Sequence, residues 1–228
     1  MANSNGTHSA VVSPSATTDY TITCTNPGGT VSKTANVLMP SGTFTATSCV
    51  IPFNASSCNS TLNWTANNFL GTPALKQGST VISNAVSGTM VRAVNPDDHN
   101  FSLQDTGSAF RIDRDPLAQC MTGSVWAGGK CIPLPIITID ADSVVQHGDS
   151  ADMDISIKAD YDATCTINDG TIQTLSHSAS PTTVDYSVTT RNLDSTQIVV
   201  VTCEHDTYPV VVDSEEVRIE VIPTYQEI

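Results

Sequence analysis

Cysteine is the residue type in this chain with the widest chemical scope, because thiols form disulfides, bind metals or act as redox groups. The 228-residue sequence contains seven cysteines. Six of them fall into three pairs by position: Cys49 with Cys58, Cys120 with Cys131, and Cys165 with Cys203. Since no Cys-x2-Cys motif or Cys/His cluster of the zinc-binding kind occurs, we expect three disulfides. Cys24 has no plausible partner in the sequence around it and is expected to be unpaired or to bond between chains.

Carboxylates are the second group that could do chemistry. Five aspartates are close together in the sequence: Asp140, Asp142, Asp149, Asp152 and Asp154. Oxygen ligands of this kind suit Ca²⁺, and calcium sites stiffen extracellular arrays. The alternative is that these side chains solvate strand ends and keep strand edges from pairing. No EF-hand motif is present, so Ca²⁺ stays an open alternative at these five residues and no other cofactor is expected.

Two further patterns resemble parts of active sites. Asp105-Thr106-Gly107-Ser108 imitates the Asp-Thr-Gly loop of aspartic proteases, which need two such carboxylates sharing a proton. Only one copy occurs, and a tight turn between two strands explains the same residues. The five histidines are scattered and are expected in exposed loops, since no Gly-x-Ser-x-Gly elbow accompanies them. The sequence therefore predicts a protein without catalytic residues.

Composition excludes two classes of partner. The formal net charge is -14 with only nine Lys and Arg, so the chain has no basic surface for a phosphate backbone and nucleic-acid binding is excluded. No apolar run approaches the roughly 20 residues of a membrane-spanning helix. At 39% hydrophobic and 14% charged residues, with abundant Ser and Thr, the surface must consist largely of hydroxyls and amides. This composition is typical of secreted or cell-surface β-strands.

The elements that position these residues are short strands. Ser15–Pro40 contains an alternating strand, a turn at Asn26–Gly29, a second strand and a proline, and the same order recurs in Thr196–Pro223. About 60 residues of short strands precede the second copy, enough to complete a small sandwich, whereas some fifteen residues precede the first. The amino-terminal segment is therefore predicted to form the last two strands of a sandwich.

Two strands alone cannot bury an apolar face in water, so the first hairpin needs a partner surface. Three outcomes stay open. The hairpin could lie on the next unit, it could complete the sandwich of a neighbouring subunit and so give head-to-tail polymers by strand donation, or another protein could supply the missing strands. The residues that need cover are Tyr20, Ile22, Val31, Val37 and Leu38.

The remaining sequence divides into sandwich-sized segments. No segment shows a 3.6-residue period, so almost no helix is expected and the fold class is all-β. We predict these units: 1–40, an incomplete hairpin unit; 41–118, a β-sandwich; 119–135, a disulfide loop with a proline linker; 136–223, a second β-sandwich; and 224–228, a tail.

Several segments resemble a known family. They are Tyr20–Gly29, the segment Tyr-Asp-Ala-Thr-Cys165-Thr-Ile-Asn-Asp-Gly, and Val-Val-Val-Thr-Cys203. They are similar to bacterial immunoglobulin-like repeats of secreted and cell-surface proteins, notably those of ultra-small, candidate-phylum bacteria. The resemblance implies tandem, disulfide-braced immunoglobulin-like sandwiches. No Trp follows Cys165 by a dozen residues and Tyr20 stands four positions before Cys24, so the antibody-type core Trp and tyrosine corner do not transfer. The Cys165–Cys203 disulfide is expected to join neighbouring strands of one sheet.

This resemblance and the composition favour a non-enzymatic, extracellular structural or adhesive protein. It would be a segment of a cell-surface stalk, adhesin or pilus-like filament, with protein partners or copies of itself as a possible homopolymer. The alternative is a carbohydrate- or protein-binding module of a secreted multidomain enzyme. In that case a glycan ligand would stack on an aromatic platform near Trp64 or Trp126.

Overall fold

The computed structural model describes residues 9–169, 172–180 and 182–224, and all of its regular structure in these ranges is β-strand. The expected all-β class, nearly free of helix, is confirmed for these residues. Backbone contacts divide them into two compact units. The first contains the residues up to Ser48 and Asn59–Leu117, and the second contains Cys49–Cys58 and the residues from Ala118 onward.

The chain begins with an isolated antiparallel hairpin of two nine-residue strands, β1 (Thr18–Asn26) and β2 (Gly29–Val37). Pro27 and Gly28 form the two-residue turn, in which the Asn26 side chain accepts a 2.7 Å hydrogen bond from the Gly28 backbone N–H. Gly29 follows with φ of +136°, which favours glycine. In the described part of the chain β1 and β2 pair only with each other, and neither contains a buried residue.

Nineteen further strands follow. The next eight are β3 (Ser41–Ala46), β4 (Cys49–Ile51), β5 (Cys58–Asn67), β6 (Pro73–Gln77), β7 (Thr80–Ser83), β8 (Ser87–Val94), β9 (Phe101–Asp105) and β10 (Arg111–Arg114). The last eleven are β11 (Ala118–Cys120), β12 (Ser124–Ala127), β13 (Lys130–Pro133), β14 (Ile136–Ala141), β15 (Val144–Gln146), β16 (Asp152–Lys158), β17 (Ala163–Asn168), β18 (Ile172–His177), β19 (Thr183–Thr189), β20 (Gln197–His205) and β21 (Val212–Ile222).

The first unit contains a sandwich of two sheets, with strand orders β3-β5-β8 and β10-β9-β6-β7. Period-two alternation places the apolar residues of each strand on one face. In β5, for example, Leu62 and Trp64 are buried while Asn63 between them is exposed. They share the core with residues of the facing sheet such as Leu75 and Leu103, which are almost fully buried.

The second unit contains a sandwich with the orders β14-β16-β19 and β15-β21-β20-β17-β18. Its core consists of inward-facing residues of both sheets, among them Met153, Ile155, Ile157, Ile167, Val199, Val201 and Ile219. β15 pairs in parallel with β21, while the other strand pairs of these two sheets are antiparallel.

Both sandwiches have the same strand order. In chain order, the first, second and fifth main strands form one sheet, and the seventh, sixth, third and fourth form the other. This is the A-B-E and G-F-C-C′ arrangement of immunoglobulin-like sandwiches. The predicted tandem immunoglobulin-like architecture is therefore confirmed, and it follows from the topology of each unit on its own.

The compact units differ from the predicted boundaries at the loop between β3 and β5. Residues Cys49–Cys58 group with the second unit, although the predicted second segment, 41–118, included them. The reason is that β4 pairs in parallel with β11, which begins the second unit's main segment. The predicted linker, 119–135, forms the β12–β13 hairpin within the same unit. Of the predicted tail, 224–228, only Thr224 lies within the described residues.

Candidate interaction surface

The three disulfides join the pairs anticipated from the sequence. The distances between Cα atoms are 5.9 Å for Cys49–Cys58, 5.5 Å for Cys120–Cys131 and 4.0 Å for Cys165–Cys203. Cys165 of β17 and Cys203 of β20 are direct partners across neighbouring antiparallel strands. The Cys165–Cys203 disulfide therefore joins neighbouring strands of one sheet, as expected. Cys24 is a free, exposed thiol.

The two small disulfide loops contact each other within the second unit. The Asn54 backbone N–H donates to the Cys131 carbonyl oxygen at 2.7 Å, and the Cys131 N–H donates to the Ala55 carbonyl at 3.0 Å. Asn54 has a φ of +59°, a conformation that asparagine tolerates better than most residues. Its side-chain amide also donates to a carboxylate oxygen of Asp160 at 3.1 Å. These bonds link both loops to the C-terminal sandwich.

Hairpin β1–β2 has two chemically different faces. One face carries a ladder of hydroxyl pairs across the strands, Thr21 with Thr34 at 2.9 Å, Thr23 with Ser32 at 2.9 Å and Thr25 with Thr30 at 3.1 Å. Such cross-strand pairs stabilise the hairpin and satisfy their own hydrogen-bonding groups. This face, which we call the hydroxyl face, is therefore complete without a partner.

The opposite face is mostly apolar, and none of its residues is buried. It is formed by Tyr20, Ile22, Cys24, Val31, Ala35 and Val37, together with Lys33 opposite Ile22, and we call it the hairpin face. Ile22 is 70% exposed and Val31 is 66% exposed. A contiguous apolar patch of this kind on a sheet is typical of an interaction surface.

The hairpin face has a covered counterpart in the same molecule. In β20, Val199, Val201 and Cys203 alternate as Tyr20, Ile22 and Cys24 do in β1, and all three are fully buried. β20 has β21 along one edge, as β1 has β2, and β17 along its other edge. The corresponding edge of β1 is unpaired in the described part of the chain.

Asp105 occupies a structural rather than a catalytic position. It is 3% exposed at the end of β9, and its carboxylate accepts hydrogen bonds from four groups: the backbone N–H groups of Leu70, Gly71 and Gly107, at 2.8 to 2.9 Å, and the Ser108 hydroxyl, at 2.6 Å. The predicted tight turn is present, with the Ser108 N–H donating to the Asp105 carbonyl at 3.4 Å. Burial acts to raise the pKa of Asp105, but the bonds from Ser108, Gly107, Leu70 and Gly71 outweigh it and lower the pKa to about 2.

An aromatic cluster joins the β12–β13 hairpin to the C-terminal sandwich. Tyr161 stacks on His205 with ring centroids 4.4 Å apart, and Tyr208 meets His205 edge-on at 5.0 Å. The Tyr161 hydroxyl donates to the Pro133 carbonyl at 2.9 Å. Burial, followed by the negative charges of Asp160 and Asp213, raises the pKa of Tyr161 above its ordinary value. The residues around Tyr161, His205 and Tyr208 in the sequence do not indicate this cluster.

Two of the five histidines contradict the expectation of exposed loop positions. His177 at the end of β18 is 3% exposed, and His205 at the end of β20 is 9% exposed. Both flank Ala163 of β17 in the sheet, so the small alanine leaves room for two rings. His99 is half-buried and His147 is exposed, while His8 lies outside the described residues.

The five aspartates considered as calcium ligands are spread along one sheet and its adjoining loops. Asp140 and Asp154 are opposite each other on β14 and β16, and the Ser187 hydroxyl donates to Asp154 at 2.7 Å. Asp142 accepts the backbone N–H of Asp152 at 3.2 Å, and Asp152 accepts the Thr189 hydroxyl at 2.8 Å. The Asp149 carbonyl oxygen accepts the backbone N–H of Leu193. Within the described ranges, no three His, Cys, Asp or Glu side chains form a group that could hold a metal ion.

The proposed aromatic platform at Trp64 is wrong. Trp64 is 4% exposed in the first sandwich, and its indole N–H donates to the Ala85 carbonyl at 2.9 Å. A Cβ at Gly88 would lie 2.7 Å from the indole ring, so the side chain fills a tight core position. Trp126, in β12, is half-buried.

Comparisons with known proteins give no family for this chain. No family model matches it, and no curated protein matches it. One similar solved structure is described as the crystal structure of Dpr2 Ig1-Ig2 in complex with DIP-Theta Ig1-Ig3. It is 12% identical with a TM-score of 0.29, and the match covers 91% of this chain and 73% of that chain. The assignment of the fold rests on the strand order of each sandwich and not on this similarity. None of the described residues belongs to a helix long and apolar enough to cross a membrane.

Proposed function

We propose that this chain is a non-enzymatic structural and adhesive segment of an extracellular assembly, such as a cell-surface stalk, adhesin or filament. The observation that carries the proposal is a contrast within the molecule. Each sandwich has a core of almost fully buried apolar residues, whereas neither strand of the hairpin contains a buried residue. The hairpin face exposes Ile22 and Val31 on a sheet whose edges are unpaired in the described part of the chain. A free strand edge beside an apolar face is the surface used in strand addition.

Three disulfides support the extracellular location, because such bonds persist in oxidising compartments. The surface chemistry agrees with this location. The exposed side of sheet β14-β16-β19 carries hydroxyls and carboxylates such as Asp154, Asp185 and Ser187, and a formal net charge of -14 favours solubility.

The buried polar groups support a structural role over a catalytic one. Asp105, the carboxylate whose surroundings most resemble an active-site loop, has both oxygens engaged by backbone N–H groups and Ser108. The raised pKa of Tyr161 belongs to a hydroxyl that donates to the Pro133 carbonyl inside the aromatic cluster. Each group therefore holds two segments of chain together.

Single-molecule pulling from the two ends tests the structural role. Each sandwich should resist force and unfold in its own event. Reduction should increase the extension released when the C-terminal sandwich unfolds, because the Cys165–Cys203 bond joins residues with a sequence separation of 38, roughly 130 Å of extended chain. A chain that extends without a force peak would contradict the proposal.

The alternative of a binding module has one favourable observation, an apolar groove of about 250 Å³ in the second unit whose lining includes Leu134, Ile136 and Tyr161. A glycan array and a protein-binding screen of the oxidised chain distinguish the two functions. Binding to a defined glycan that a Tyr161→Ala change abolishes, and that an Ile22→Lys change leaves intact, would favour the alternative.

A further inference from the structure

The edge of β1 away from β2 is unpaired among the described residues, and the C-terminal sandwich contains an equivalent hairpin whose corresponding edge is paired. Cys203 is the third residue from the end of β20 and stands opposite Cys165, the third residue of β17. On the other side of Cys203 is Asp213 of β21. Cys24 is likewise third from the end of β1, and Val31 of β2 takes the position of Asp213.

The equivalence extends along both strands. Ile22 pairs with Lys33 as Val201 pairs with Glu215, and Tyr20 pairs with Ala35 as Val199 pairs with Val217. In both hairpins the cysteine and the residues that alternate with it are therefore on one face of the first strand, with equivalent pairing partners on the second strand. The edge of β1 that is unpaired within the described ranges corresponds to the edge of β20 that β17 occupies.

We propose that the free edge of β1 binds an antiparallel strand of another polypeptide, a strand of the β17 type that carries a cysteine opposite Cys24. This inference rests on the proposed role of the hairpin in assembly. The partner strand would alternate threonine with small or β-branched apolar residues, as Ala163-Thr-Cys-Thr-Ile-Asn does in β17. Main-chain hydrogen bonds give the affinity in this mode, and alternate side chains give the specificity.

The described strands of a second copy of this chain do not supply such a strand. The strands equivalent to the required one, β6 and β17, already have a neighbour on both edges. The cysteines other than Cys24 are all in disulfides. A symmetric Cys24–Cys24 pair would align only residues 22–26 of the nine-residue β1 with each other, which leaves Tyr20 beyond the paired region.

The bond to the partner forms between two thiols. Cys24 and the partner cysteine lose two protons and two electrons as their sulfur atoms join, and a small-molecule disulfide such as oxidised glutathione accepts them and is released as two thiols. In β17 and β20 the same cross-strand position holds a disulfide with Cα atoms 4.0 Å apart. Docking of the strand places the two sulfurs together, so the strand sequence controls the reaction.

The test uses a peptide of residues 160–169, Asp-Tyr-Asp-Ala-Thr-Cys-Thr-Ile-Asn-Asp, as the probe. The full chain, with its three disulfides formed and Cys24 as a thiol, is incubated with this peptide in a glutathione redox buffer. The disulfide adduct at Cys24 is then measured by non-reducing mass spectrometry. A second peptide keeps the cysteine in place and scrambles the other residues. We expect the β17-type peptide to couple at least about tenfold more than the scrambled one, because only it can extend the sheet in register.

Two variants of β1 provide matched controls. Ile22→Lys puts a charge on the hairpin face and should remove the preference between the peptides, while Thr23→Lys puts the same charge on the hydroxyl face and should preserve it. Reaction with glutathione alone, measured in both variants, corrects for any change in thiol reactivity.

Equal coupling of both peptides would overturn the inference, because Cys24 would then be an exposed thiol only. Predominant Cys24–Cys24 dimers in the presence of the β17-type peptide would overturn it as well. The proposed function fails separately: it is contradicted when the sandwiches lack mechanical resistance, a result that does not depend on the peptide.

Discussion

The carboxylate of Asp105 accepts a 2.8 Å hydrogen bond from the backbone N–H of Gly71, a residue 34 positions earlier in the chain. The two segments approach so closely that a Cβ at Gly71 would lie 2.4 Å from the Gly107 nitrogen, and a Cβ at Gly107 would lie 2.5 Å from the Gly71 nitrogen. Glycine at both positions lets the backbones approach, and Asp105 satisfies the N–H groups that this approach buries. The side chain of Asp105 therefore holds together the loop that precedes β6 and the loop that follows β9.

The first prediction concerns acid stability. Since the folded pKa of Asp105 is about 2, below its model-peptide value of 3.8, its ionised form stabilises the folded state above pH 4, and this stabilisation is lost as the pH falls towards 2. Asp105→Asn should lower the melting temperature at pH 7 and weaken its decline between pH 4 and pH 2. Thermal melts of both proteins across this range measure the effect. The exposed Asp115→Asn change serves as the control, and a variant that kept the full acid dependence would contradict the assignment.

A second prediction separates close contact from backbone strain. Gly71→Ala places a methyl group against backbone atoms, which cannot rotate away, so it should destabilise the first sandwich by several kcal/mol, as overpacking in a tight site does. Gly78→Ala meets no atom within 4 Å, and its φ of +56° should cost only about 1 kcal/mol. Urea unfolding of both variants gives the comparison. Equal effects would show that the glycine contact has no special role.

The sequence was sufficient for the features that depend on neighbouring residues. Alternation of Val199, Val201 and Cys203 predicts a half-buried strand because its period is two, and the cysteine spacing indicates which loops are closed. The repeat of this pattern at Cys24 also predicts the hairpin, although the local sequence leaves open what covers its apolar face. These features follow from local order and need no knowledge of long-range packing.

The features that could not be predicted depend on segments meeting in space. His205 is buried because Tyr161, 44 positions earlier, stacks on it, and nothing around either residue indicates this contact. The sequence predicts the turn at Asp105, but its hydrogen bond to Gly71 depends on the pairing of β6 with β9. The alternative of a binding platform near Trp64 fails because this side chain packs tightly against Gly88 of another strand, and the residues around Trp64 do not indicate that contact.

The third prediction ranks two disulfides by the loops they close. In the chain-entropy treatment, the Cys165–Cys203 bond with its separation of 38 residues contributes about 4 kcal/mol, and the Cys49–Cys58 bond with its separation of 9 contributes about 3 kcal/mol. Replacing both cysteines of a pair with alanine should therefore lower the free energy of unfolding more for Cys165–Cys203 than for Cys49–Cys58. Denaturant unfolding followed by tryptophan fluorescence measures both. A larger loss at Cys49–Cys58 would mean that native contacts of that loop, such as the Asn54 bonds to Cys131, outweigh loop closure.

The last prediction concerns alkaline pH and the aromatic cluster. Burial and the charges of Asp160 and Asp213 raise the folded pKa of Tyr161, so the neutral phenol is favoured in the folded state, and its contribution to stability is fully present below the unfolded pKa of about 10. As the pH rises above 10, the unfolded chain loses this proton first and the stability falls. Tyr161→Phe should lower stability at pH 7, because the Pro133 carbonyl loses its donor, and should flatten the alkaline decline. Melting curves between pH 8 and pH 11 compare it with the Tyr20→Phe change at the half-buried Tyr20 of the hairpin face, which should retain the decline. If the Tyr161→Phe variant lost as much stability at alkaline pH as the original chain, ionisation of Tyr161 would not be the cause of that loss.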